Sequence, residues 1–184
     1  MLFAMSAELR APWRQFLLDV DDSLPEPVEL HCLGGFVATI RYGLARATGD
    51  VDYVEIVPFD KLSALQELAG AGSSLARKHR LYFQYVTVAS LPESYGERLT
   101  ELFPGQFRQI RLLALDPHDL ASSKLARNSP VDREDVAYLA RAVPLDPAVL
   151  RTRYERELRP IAIGDIRTLD ATLEMWIEAY CATA

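Results

Sequence analysis

The sequence predicts an α/β (α+β) chain: a small mixed sheet with flanking helices, followed by a C-terminal helical region. Three observations carry that prediction. Strand-like and helix-like segments alternate as far as Leu115, whereas the remainder is helical throughout. Three helical starts after Leu115 carry a capping residue followed by proline, at Asp116-Pro117, Ser129-Pro130 and Asp146-Pro147. Composition is that of an ordinary globular chain, with 184 residues, 49% hydrophobic and 25% charged. The expected division is a core over residues 1–115 and a helical region over 116–184 packed on it.

The elements follow in order. Pro12 to Asp22 predicts a helix, because Trp13, Phe16, Leu17 and Val20 recur at helical spacing and proline suits a first turn. Val28 to Leu33 predicts a strand that runs into Gly34-Gly35 and then the apolar stretch Phe36 to Ile40, a strand, glycine turn and helix ending near Gly43. Asp50 to Val57 predicts a second strand. Asp60 is placed to cap a helix from Lys61 to about Leu68, stopped by Gly70-Ala-Gly72, and Ser73-Ser74 to start another ending at His79. Leu81 to Val88 predicts a strand, Pro92 to Leu102 a helix, and Phe107 to Leu115 a fourth strand. The last helix is expected over Asp165 to Tyr180, with Ile166, Leu169, Leu173, Trp176 and Ile177 on one face.

Composition also excludes. No stretch reaches the run of about 18 apolar residues that a membrane helix needs. The apolar start Met1 to Ser6 lacks a basic leader and meets Glu8 and Arg10 at once, a poor signal peptide, so a cytoplasmic location without membrane association is expected. Cys32 and Cys181 are too far apart in sequence for a zinc knuckle or redox pair and read as reduced thiols. A net charge of −6 gives no whole-molecule field for binding a polyanion.

The chemistry concentrates between Leu33 and Tyr53. A glycine pair after a strand lets the backbone approach a phosphate closely, and the helix behind it offers unpaired N–H groups. On an extended strand Asp50 and Asp52 face one side, since residues i and i+2 do. Magnesium takes a few carboxylates, several waters and substrate phosphate oxygens, so two aligned aspartates beside a phosphate cradle make a coherent site.

A glycine pair, a helix and then Asp-x-Asp on the next strand resembles the nucleotidyltransferase superfamily of polymerase-β type. The strings Arg46-Ala-Thr48-Gly-Asp50-Val-Asp52 and Asp119-Leu-Ala-Ser-Ser-Lys124-Leu-Ala-Arg127-Asn-Ser-Pro-Val-Asp132-Arg-Glu-Asp135 resemble an uncharacterised bacterial branch, similar to the nucleotidyltransferase toxins of type IV toxin-antitoxin systems. The resemblance spans roughly Val28 to Arg141. It implies a nucleotidyltransferase-like core in which Gly34 and Gly35 cradle phosphate, Asp50 and Asp52 hold Mg2+ (or Mn2+), Lys124 contacts triphosphate, and Asp132 or Asp135 supports the site. Arg46, Thr48 and Arg127 join the nucleotide-binding set. The implied partners are a nucleoside triphosphate, an RNA or protein acceptor, and an antitoxin or a second copy of the chain.

One departure stands out. Members of the superfamily present a third carboxylate from a neighbouring strand, where Tyr82 to Val88 offers Gln84, which neither ligates a metal as a charged group nor accepts a proton. Glu55, three residues beyond Asp52, is expected on the opposite strand face. Two readings follow: an enzyme transferring NMP from an NTP to an acceptor hydroxyl, or a nucleotide- or partner-binding module with weakened catalysis, its Trp176 and Tyr180 helix serving as an interface.

Several residues keep a plain alternative. Lys124 and Arg127, one helical turn apart, form either a basic strip toward the site or a solvated face. Asp132 also fits a capping box with Ser129. Arg41 and Arg46 suit either phosphate or local acids. His31, His79 and His118 lack partners at metal-ligand spacing, and Arg151 to Arg159 reads as a solvated face with i,i+4 pairing.

Overall fold

The computed structural model describes residue 9 and residues 11–181, so the Met1 to Ser6 segment weighed as a leader lies outside the described residues. In chain order the regular elements are α1 (Trp13–Ser23), β1 (Val28–Cys32), α2 (Gly34–Ile40), β2 (Asp50–Val57), α3 (Leu62–Ala69), α4 (Ser74–His79), β3 (Tyr82–Tyr85), β4 (Thr100–Leu102), β5 (Ile110–Ala114), α5 (Pro117–Ser122), α6 (Pro130–Ala142), α7 (Pro147–Arg153) and α8 (Ile166–Trp176). No helix among the described residues is long and apolar enough to cross a membrane.

The chain divides into two compact units. The first holds the chain through Arg41, Arg46–Thr87 and Thr100–Ala114; the second holds Tyr42–Ala45, Val88–Leu99 and the chain from Leu115.

The first unit is built on one mixed sheet, which among the described residues has the strand order β3-β2-β1-β5-β4. β1 runs antiparallel to β2 and parallel to β5, β2 parallel to β3, and β4 antiparallel to β5. Val28, Leu30 and Cys32 of β1 and Val51, Tyr53 and Ile56 of β2 are buried on one face, the period of two that a half-covered sheet imposes. Helix α1 lays Trp13, Phe16, Leu17 and Val20 on that core. The Phe16 and Phe83 ring centroids lie 5.5 Å apart and those of Trp13 and Phe36 5.0 Å, edge-on. Each such ring withdrawn from water contributes about 2–3 kcal/mol before the loss of chain entropy.

Asp21, at 3% exposure, fastens α1 to β5: its carboxylate accepts from the backbone N–H of Arg108 (2.9 Å), Gln109 (2.6 Å) and Ile110 (2.8 Å). Three donors satisfy the charge without a cation.

Two local expectations give way. Residues 92–102 are not one helix: a 3-10 turn over Tyr95–Arg98 leads into β4, because the alternation of Thr100, Glu101 and Leu102 is satisfied by pairing with β5. Asp60 caps nothing; it lies inside a 3-10 turn, Phe59–Lys61, and Lys61 pairs with Glu26. Ser73 does cap α4, accepting from Ala76 N–H at 3.0 Å.

In the second unit the three proline-marked starts are capped as their sequences require. Asp116 accepts from His118 N–H, Asp146 from Ala148 N–H, and Ser129 forms a capping box with Asp132. The charged run 151–159 is not the freely solvated face expected of it. Tyr154 and Leu158 are buried, Arg153 bonds Asp116 and Asp119, Glu157 bonds Arg98, Arg159 bonds Asp170 and Arg151 bonds Glu174. The i,i+4 neighbours Glu155 and Glu157 still act on Arg151 and Arg153, but as charge at a distance beside these tertiary bonds. The α8 face is as expected, with Leu169, Leu173, Trp176 and Ile177 buried; Ile166 is half-buried.

Candidate functional site

At the C-terminal end of β1 the chain leaves the strand through Leu33 in extended geometry and enters α2 at Gly34, whose φ of +70° lies in the left-handed region. Leu33 N–H donates to Asp52 C=O at 3.0 Å and holds the turn against β2. A Cβ on Gly34 would fall 3.0 Å from Asp52 Cγ and closer still to Oδ2, so only glycine lets this carboxylate lie against the turn. A Cβ on Gly35 would fall 3.2 Å from Thr48 Oγ1 and 3.4 Å from an Arg46 guanidinium nitrogen. The loop before β2 therefore closes over the second glycine. Thr48 Oγ1 donates to Asp50 Oδ1 at 2.9 Å, and Thr39 Oγ1 donates to the Arg46 carbonyl at 3.2 Å, fixing loop and carboxylate together.

Along β2, Val51 and Tyr53 are buried while Asp50 and Asp52 are half-buried on the outer face. The parallel register of β2 with β3 sets Asp50 beside Tyr82 and Asp52 beside Gln84. Burial, reinforced by the charges of Asp50 and Asp52, pushes the Tyr82 phenol up, so it stays a neutral donor. Gln84 is exposed and donates from Nε2 to Tyr85 C=O at 3.2 Å. Burial, with Asp52 nearby, also pushes the Cys32 thiol far above its usual range and leaves it unreactive.

Glu55 corrects a sequence expectation. Cys32 pairs with Tyr53 but His31 with Glu55, so β2 carries one extra residue at Val54. That bulge reverses the parity of the strand: Ile56 turns inward, and Glu55 is exposed on the outer side with Asp50 and Asp52 rather than opposite them.

The donor set beside the glycine turn is thus two carboxylates and an amide. Among the described residues no group of three or more His, Cys, Asp or Glu is arranged to hold a metal. Two carboxylates on one strand face, one of them against a glycine turn, are nonetheless a set that suits magnesium, which completes its shell with water and substrate oxygens.

The other sequence candidates belong to the second unit. Lys124 is 4% exposed; its Nζ donates to Asp135 Oδ2 at 2.7 Å and lies 3.6 Å from Asp132 Oδ1. Arg127 bonds Asp132 through Nε at 2.7 Å and Nη2 at 2.5 Å. Burial opposes ionisation of Asp132, but Arg127, Ser129 and Lys124 together hold its carboxyl well below the usual carboxylate range. Lys124 and Arg127 form neither an exposed strip nor a solvated face, because α5 stops at Ser122 and the turn after it sends Lys124 inward and Arg127 outward. Asp132 fills the capping role its sequence offered. Gly34, Gly35, Arg46, Thr48, Asp50, Asp52 and Gln84 accordingly come together in the first unit, and Lys124, Arg127, Asp132 and Asp135 in the second.

The histidines have local partners. His31 lies 3.3 Å from Glu29 and His79 2.7 Å from Asp19, while His118 accepts from Asp146 N–H at 3.0 Å. Sequence reading missed Tyr82 as a neighbour of the carboxylates; only the parallel register with β3 reveals it.

A family model described as a nucleotidyltransferase of unknown function (DUF6036) matches residues 16–177. No curated protein and no solved structure matches the chain.

Proposed function

The chain belongs to that DUF6036 nucleotidyltransferase family, and from this premise we propose that it transfers a nucleoside monophosphate from a nucleoside triphosphate to an acceptor hydroxyl, with Asp50 and Asp52 as the ligands of Mg2+. One observation carries the reading. The Asp52 carboxylate rests on Gly34 so closely that an added side chain would have to displace it, which supports reading the glycine turn and the Asp-x-Asp strand as one site.

A magnesium ion in such a site supplies charge neutralisation at the α-phosphate and alignment for in-line attack. The chain's own residues do the rest. Thr48 orients Asp50 through its hydroxyl, and Leu33 N–H fixes the strand backbone at Asp52. Gly34 and Gly35 have no side chains of their own, so the Asp52 carboxylate and the Arg46 guanidinium lie against the turn, where the guanidinium can meet phosphate charge. All of these belong to the first unit, and the proposal is made without Lys124 and Arg127, whose charges are met by Asp132 and Asp135 in the second. The resemblance to toxin nucleotidyltransferases extends the proposal to a cytoplasmic protein acting on RNA or protein, with an antitoxin or a second copy as partner.

A second reading has its own support. Gln84 stands beside Asp52 where a third carboxylate would complete the set, which favours a nucleotide-binding module of weak catalysis.

The test incubates the protein with each α-labelled nucleoside triphosphate, magnesium or manganese, total transfer RNA and a protein extract, beside the Asp50→Ala plus Asp52→Ala variant. Label transfer by the parent alone establishes the activity and names the acceptor class. No transfer by either, with magnesium-nucleotide still bound, establishes the binding module.

A further inference from the structure

We propose that the acceptor is an RNA strand and that the basic run Arg77-Lys78-His79-Arg80 receives its phosphates. The inference rests on the reading above and adds the acceptor class and the residues that hold it.

Arg77, Lys78 and His79 form the last turn of α4, and Arg80 follows as its C-cap. Cations at a helix C-terminus complement its dipole, but that effect fades within the last turn and leaves Arg80 unexplained. Arg77, Lys78 and Arg80 are all exposed. Among the described residues Asp19 is the one acid in salt-bridge contact with them, through Lys78 at 2.6 Å, and it is shared with His79. Arg77 donates to the neutral Gly72 carbonyl and keeps its full charge. Three permanent cations thus face one carboxylate. Arg80 stands at a φ of +57°, a left-handed position where glycine or asparagine rests at lower cost, so the backbone gives no reason for an arginine there.

The run also lies where an acceptor would enter. Its last residue abuts the start of β2: a Cβ on Gly49 would fall 3.8 Å from the Arg80 carbonyl oxygen, and Tyr82 N–H donates to Gly49 C=O at 3.1 Å. In the order β3-β2-β1, the glycine turn follows β1 on one side of Asp50 and Asp52, and Arg80 precedes β3 on the other. In-line attack sets the incoming hydroxyl opposite the leaving pyrophosphate. With the triphosphate at the glycine turn, the acceptor enters from the β3 side, past the basic run. There an RNA hydroxyl oxygen bonds the α-phosphorus as the bond to pyrophosphate breaks, and the hydroxyl proton passes to water. A chain of formal charge −6 attracts RNA only where cations cluster, and closely spaced Arg and Lys side chains match the repeating charge of a phosphate backbone.

The test is the fluorescence anisotropy of a fluorescein-labelled single-stranded RNA with the full chain, without nucleotide, across a range of salt. Three phosphate contacts predict a slope of log K against log salt of about −2, at about −0.7 each. Arg77→Gln plus Arg80→Gln should bring the slope to about −0.7 and weaken binding about tenfold or more, and Arg80→Lys alone should bind as the parent does. No RNA binding by the parent, an unchanged slope in the double variant, or label transfer to protein alone overturns the proposal. So does an equal loss of magnesium-nucleotide affinity in the double variant, which would give the run to the triphosphate. Magnesium-nucleotide binding that survives Asp50→Ala plus Asp52→Ala overturns the site reading instead, and the RNA slope, read without nucleotide, separates the two failures.

Discussion

Two acid pairs in this molecule have the same chemistry and opposite fates. Asp132 and Asp135 of α6 are 0% and 1% exposed, and each is neutralised by a cation, Arg127 and Lys124 respectively. Asp50 and Asp52 of β2 are half-buried; Asp50 takes a hydrogen bond from a neutral hydroxyl and Asp52 lies against a glycine. Buried carboxylates met by fixed cations hold helices in place, whereas half-exposed carboxylates on a strand stay within reach of a ligand. Burial, not residue type, separates an acid locked in the structure from one a ligand can reach.

The contrast is broken most directly at β2. Asp50→Ala plus Asp52→Ala should abolish label transfer, by about 10⁴-fold, while the melting temperature moves by no more than about 3 °C. A large loss of stability in that variant would make the pair structural and erase the distinction. The reciprocal test is Lys124→Met, which strands Asp135 without its ammonium and should cost about 3–5 kcal/mol in urea unfolding. A cost under about 1 kcal/mol would show that the buried pair is not holding the second unit.

The same cluster fixes a pH limit. Asp132 is held below its usual pKa in the folded state, so its stabilisation is complete above about pH 4 and is lost as pH falls through the range below it. Asp116, held down by His118 and Arg153 against the cost of burial, acts with the same sign. Acid titration of the folded protein by circular dichroism should show the loss, and Asp132→Asn should flatten it.

Gly34→Ala sharpens the comparison. It places a methyl group against the Asp52 carboxylate at a φ of +70°, and should cost about 1–3 kcal/mol together with most of the magnesium-nucleotide affinity. The smallest expected effect belongs to Thr48→Val. It removes the hydroxyl that orients Asp50 and should lower transfer about tenfold with stability unchanged, measured as kcat/KM.

Much of this was legible in sequence because the signals were local. Proline after Asp116, Ser129 and Asp146 marked three helix starts, and strand-like runs marked β1, β2, β3 and β5. The i, i+2 spacing put Asp50 and Asp52 on one face, and only a glycine pair before a helix could make the turn beside them. What escaped depends on register. β4 carries too few residues to show a period, and its identity comes from pairing with β5. The Val54 bulge, which turns Glu55 to the outer side, leaves no composition mark. Lys124 entered as a triphosphate contact only through the resemblance, and its surroundings are set by where the chain turns after Ser122.

The strand order carries a consequence for biosynthesis. β1 lies at the centre of the sheet, but its parallel neighbour β5 is some 80 residues downstream, and the three backbone donors that Asp21 satisfies come from that same late segment. While the ribosome is still making the middle of the chain, one edge of β1 has no strand to pair with and Asp21 has no donors to bind. The first unit therefore cannot close until Ile110 has emerged, and its nascent form exposes an apolar strand edge for most of its synthesis.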